Sequence, residues 1–140
     1  MKHLLFTFFS VFAIRLYAQS FEPGIWKTKE SLKLNGLPLP ASSNEECITK
    51  AQAKDAKATI EKELKKQGCS LTNWVVKNQK LNAAVNCKNN DIDAVGNLYG
   101  EFSSKSYDLK GEAKGTYKHA LPAIAEIKLS GQWMKSCAKQ

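Results

Sequence analysis

The stretch Cys69-Ser-Leu-Thr-Asn-Trp-Val-Val-Lys-Asn-Gln-Lys-Leu-Asn-Ala-Ala-Val-Asn-Cys87 begins and ends in cysteine and has a polar Lys-Asn-Gln-Lys at its centre. Folded as a hairpin turning at Lys77-Asn78-Gln79, it sets Cys69 opposite Cys87, Leu71 opposite Val85, Asn73 opposite Ala83 and Val75 opposite Leu81. Side chains alternate between the two faces of a strand, so nearly all of these share one apolar face. Ser70, Thr72, Asn82 and Asn86 take the other face, and Trp74 and Val76 are the misfits. A slip of one residue would turn every side chain over. The agreement between apolar face and paired cysteines reads Cys69–Cys87 as a cross-strand staple.

The chain has four cysteines, and the other two, Cys47 and Cys137, are then left as a second bridge. An even count in a small exported domain favours disulfides. In the loop-entropy picture the two bridges are worth about 3 and about 4–5 kcal/mol. There is no Cys-x-x-Cys, so neither a thioredoxin-type motif nor a zinc ribbon has its usual spacing. Asp91-x-Asp93 followed by Gly96 has the outline of a calcium loop. Val95 and Phe102, however, occupy positions that need oxygen ligands. No metal or cofactor is expected.

The first residues point to a compartment. Met1-Lys2-His3 leads into an apolar run from Leu4 to Ile14, followed by Arg15-Leu16-Tyr17-Ala18. A positive start, an apolar segment too short to span a bilayer and a small residue at the cut are the marks of a secretory signal. Cleavage after Ala18 leaves residues 19–140 as a single domain, periplasmic or secreted, with no transmembrane segment. The 140-residue chain has a formal charge of +8, and its only arginine, Arg15, leaves with the signal. Lysine is a hydrated point charge without the guanidinium fork that reads phosphates and guanine edges, so nucleic-acid recognition is not expected. Lysines can still steer the protein toward an envelope lipid, a polysaccharide or an acidic periplasmic protein.

Alternation continues on both sides of the stapled hairpin. Trp26, Thr28, Leu32 and Leu34 share one side of a first strand, with Glu30 a misfit on that inner side. Asn35-Gly36 signals a turn, and Pro38 and Pro40 exclude a central strand. Thr49 with Gln52 reads as a capping box, Ala53, Ala56, Ile60 and Leu64 follow at helical spacing, and Gly68 stands at the C-terminal cap. Leu98, Gly100 and Phe102 mark another strand. Tyr107, Leu109, Gly111, Ala113, Gly115 and Tyr117 line the inner side of the next. Ala123, Ala125, Ile127, Leu129, Gly131 and Trp133 line the last, with Cys137 in the same phase. The inner glycines let the sheet bend or the helix approach; a second reading has them leave room for a ligand between aromatic walls. The pattern predicts an α+β fold: an antiparallel β-meander of about six curved strands, one face covered by one helix, disulfide-stapled.

Glu22-Pro23-Gly24-Ile25-Trp26, Cys47-Ile48-Thr49-Lys50-Ala51, the two middle cysteines and Gly131-Gln132-Trp133-Met134-Lys135-Ser136-Cys137 follow one another in an order that resembles the bacterial exported family catalogued as domain of unknown function 3617. That family is marked by Pro-Gly-Leu-Trp, by Cys-Leu-Thr before a helix, by two middle cysteines and by a cysteine near the end. The resemblance spans residues 22–137, departing at Ile25, Ile48 and Lys50. It implies compartment and shape, and no mechanism.

Catalysis is not expected. His119 is the one histidine after the cut and sits beside Ala120-Leu121-Pro122 in an apparent turn, without a nucleophile motif. Asp91 with Asp93, and Glu45 with Glu46, read as loop neighbours rather than an acid–base pair. The leading expectation is a binding module for an apolar, amphipathic or anionic envelope component, with Trp26, Tyr107, Tyr117 and Trp133 as candidate ligand-binding residues. The alternative is a protein-interaction or inhibitor protein. An enclosed pocket favours the first and a flat exposed apolar patch the second.

Overall fold

Alternating residues become strands here because each buries one face and wets the other. The computed structural model describes residues 20–66 and 68–138; the expected signal segment 1–18 lies outside them. The chain runs β1 (Gly24–Leu34), β2 (Leu37–Pro38), β3 (Ser42–Ile48), α1 (Lys50–Ala53), α2 (Ala56–Lys65), β4 (Cys69–Lys77), β5 (Lys80–Lys88), β6 (Ile92–Phe102), β7 (Ser106–Tyr117) and β8 (Leu121–Lys135). Strands β4 to β8 form a meander, β1 closes back beside β8, and β2 and β3 both pair with the far side of β1. All these pairings are antiparallel. No helix among the described residues is long and apolar enough to cross a membrane.

Among the described residues eight strands replace the expected six, and the two additions are edge segments. In β2, Pro38 pairs with Lys33 at the margin of the sheet, where its missing N–H is tolerated. In β3, residues Ser42 to Glu46 are all exposed, so the segment carries no apolar period to reveal it. The expected single helix is also two. Thr49 and Gln52 form the capping box of α1, but the Asp55 side chain then accepts from Ala58 N at 3.0 Å and starts α2 afresh.

The hairpin register needs one correction. Cys69↔Cys87 and Leu71↔Val85 pair as expected, but a bulge between Thr72 and Val75 then shifts the register, giving Val75↔Asn82 and Val76↔Leu81. Asn73 sits in the bulge with φ 52°, a left-handed conformation that asparagine tolerates. The turn contracts to Asn78-Gln79, with φ 51° and 60°, the two positive values of a tight two-residue hairpin loop. The bulge turns Trp74 and Val76 to the core and leaves Val75 57% exposed, which removes the misfits in the alternation.

The core lies between the inner face of the sheet and α2. Ala56, Ile60 and Leu64 of the helix pack over Leu71, Leu81 and Leu98, while Phe21 and Trp26 fill the end nearer β1. Disulfides join Cys69 to Cys87 across the β4–β5 pair and Cys47 of β3 to Cys137 beyond β8. Two of the inner glycines sit at close approaches. A Cβ at Gly96 would run into the Glu112 carbonyl on β7, so this close strand approach admits only glycine. A Cβ at Gly131 would run into the Tyr107 ring, which lies flat across that position.

Candidate functional site

At its β1 end the inner face is not sealed by α2. A cleft of about 310 Å³ opens between the helix, β1 and β3, at the low end of the size range of ligand pockets. Its floor is apolar: Phe21, Trp26, Ile48, Ile60, Tyr107 and Leu129 all line it.

The floor is held rigidly. Phe21 is fixed by its backbone N–H donating to the Ala53 carbonyl at 2.8 Å, and its ring meets Trp26 edge-on at 4.9 Å. Trp26 is 1% exposed and its indole Nε1 donates to the Glu22 carbonyl at 2.8 Å, so it supports the cleft from beneath. Tyr107 stacks on Trp26 at 6.0 Å with an interplanar angle of 21°, held against Gly131.

The rim is acidic, although the chain as a whole carries +8. Glu30 from β1, Glu46 from β3 and Glu63 from α2 line the opening, along with Glu45, Lys29 and Lys66. Lys66 is engaged by Glu63, Nζ to Oε2 at 2.7 Å, and that hydrogen bond, with the charge behind it, raises the ammonium above its ordinary value. Burial pushes the Tyr107 phenol up to about 12, and the negative charges of Glu46, Glu63 and Glu30 act in the same direction. Three carboxylates from three elements thus share one electrostatic environment.

The aromatics singled out in the sequence separate into two groups. Trp26 and Tyr107 meet in the cleft, whereas Tyr117 and Trp133 stand apart from it. Tyr117 lies beside the β7–β8 turn with the Lys118 ammonium 5.5 Å from its ring. Trp133 packs over Gly24, donates from Nε1 to the Pro23 carbonyl at 3.2 Å and has the Lys105 ammonium 4.8 Å from its ring. His119 is exposed in that same β7–β8 turn with φ 58°, far along the sheet from the cleft. Glu45 and Glu46 are strand residues on β3, opposite Lys27 and Trp26, which corrects their reading as loop neighbours. Phe21, Glu46 and Glu63 could not have been found from periodicity. Glu30 could, because a charge in an inner, otherwise apolar phase is the one local signal of the rim.

Fold and site together define a class: a disulfide-linked, mostly antiparallel β-sheet domain with two short helices and a cleft on its inner face. The chain belongs to the family described as protein of unknown function (DUF3617), whose model matches residues 21–137. No curated protein and no solved structure matches it.

Proposed function

We propose that this is an exported binding module whose cleft takes a small ligand with an apolar body. The observation that carries the reading is the cleft itself: an aromatic floor that the helix leaves open. Large exposed apolar residues occur on several strands, among them Val75 on β4, Val95 and Tyr99 on β6, Leu121, Ile124 and Met134 on β8 and Leu37 on β2; the concave cleft is the feature that fits a ligand with an apolar body. The two disulfides suit an oxidising compartment, and lysines on the outer face of β1 and β7 would steer the molecule toward anionic envelope surfaces. The module acts by binding rather than catalysis, and no cofactor enters the reading.

The test is titration with the neutral apolar probe N-phenyl-1-naphthylamine, followed by its fluorescence. Thr28 lines the cleft, and Thr28→Trp would fill it. Saturable binding at one site, abolished in a folded Thr28→Trp variant, is the expected result. Equal probe fluorescence in wild type and variant would remove the cleft as the site.

A further inference from the structure

We propose that the cleft is selective for amphipathic cations: ligands with an apolar body and a protonated amine, the amine held by Glu30 and Glu46. This deepens the binding reading and rests on it. The argument begins with Glu30. Its neighbours in phase, Trp26, Thr28 and Leu32, make an inner strand face, and a carboxylate there gives up the burial that an apolar residue would gain. Ion pairs among the described residues are Lys66–Glu63, Lys88–Asp93 and Lys114–Glu112, so neither Glu30 nor Glu46 makes a direct ion pair, although both act at longer range on the Lys66 ammonium. Glu30, Glu45, Glu46 and Glu63 outnumber Lys29 and Lys66 at the rim, and a cation from outside would balance that negative excess.

The surroundings make that balance selective. A concave cleft with an apolar floor strengthens the field of the carboxylates at its mouth, and this local negative region sits on a molecule of opposite net charge. Glu63 is already committed to Lys66, which leaves Glu30 and Glu46 for the ligand. The raised Tyr107 phenol agrees in sign, since the same carboxylates oppose a second negative charge in the cleft. An anionic ligand would meet the excess of carboxylates with the wrong sign, with Lys29 and Lys66 alone among the lining residues to favour it. The anion-attracting lysines and the cleft thus serve different partners: the lysines bring the molecule to a surface, and the carboxylates choose what enters.

Calorimetric titration of the oxidised full chain with three probes of one hydrocarbon shape decides the matter: 1-naphthylmethylamine, 1-naphthylmethanol and 1-naphthoate at neutral pH. The amine should bind at least tenfold more tightly than the alcohol, and the carboxylate most weakly. Glu30→Gln and Glu46→Gln should each weaken the amine severalfold and leave the alcohol unchanged, and added salt should weaken the amine alone. Equal binding of amine and alcohol, or tightest binding of naphthoate, overturns the cation selectivity while leaving a binding cleft in place. Failure of all three probes to bind overturns the binding reading as well.

Discussion

Tyr107 is where packing and electrostatics meet. Its phenol titrates at about 12, chiefly through burial, whereas the unfolded side chain titrates near 10. As pH rises the unfolded chain therefore loses its proton first. Stability from this group is intact below about pH 10 and is lost as pH climbs through 12, up to about 2–3 kcal/mol. Urea unfolding of wild type and Tyr107→Phe at about pH 8 and about pH 11 isolates the effect, because the lysine background is common to both. Wild type should fall further than the variant between the two. Gly131 supplies a second test at the same ring. Gly131→Ala drives a methyl group into Tyr107 and should lower stability by about 1–3 kcal/mol. Gly111→Ala meets only ordinary contacts, 3.4 Å to Leu98 Cδ1 and 3.7 Å to Ile127 Cβ, and should be neutral or stabilising by about 0.5 kcal/mol. Paired thermal unfolding distinguishes the two glycines. Nothing in the alternation pattern separates them, since both sit on the inner face.

At the scale of elements, legibility followed burial. The inner phases of β6, β7 and β8 were readable because each strand buries one face and wets the other, and the register follows from that constraint. Strand β3 was hidden for the converse reason: most of its side chains meet water, so pairing with β1 rests mainly on backbone hydrogen bonds. The cleft rim inherits that blindness, because Glu46 is placed by β3 and Glu63 by a helix with no sequence proximity to either strand. The β4–β5 register failed at a single residue, Asn73, whose left-handed backbone no period-two rule foresees. That bulge is a directed feature, since it delivers Trp74 to Phe102 edge-on at 6.1 Å. Asn73→Val should therefore cost about 1–3 kcal/mol, as a β-branched residue strains at that φ, while Asn73→Gly stays within about 1 kcal/mol of wild type. Denaturant midpoints report the energies. Near-ultraviolet dichroism reports whether Trp74 keeps its packing in each variant.

Across the whole molecule, the two disulfides do unequal work. Cys69 and Cys87 close a short stretch, 18 residues apart, within a hairpin that its own turn already registers. Cys47 and Cys137 lie 90 residues apart and tie the edge strand β3 to the end of the chain beyond β8. Loop entropy alone assigns about 3 kcal/mol to the first and about 4–5 kcal/mol to the second. The larger difference is functional, because β3 forms one wall of the cleft and presents Glu46, yet sheet pairing holds it on one side only, through β1. Freed of Cys137, that strand can fray without dissolving the meander from β4 to β8, as edge elements open at lower free energy than a core. The double variant Cys47→Ser with Cys137→Ser should therefore lose affinity for the naphthyl amine at temperatures where far-ultraviolet dichroism still reports a folded sheet. Cys69→Ala with Cys87→Ala should keep that affinity up to its own, lower unfolding midpoint. Coincident loss of binding and of the sheet in the Cys47–Cys137 variant would show that β3 is held by β1 alone, and that the wall of the cleft is as stable as the core behind it.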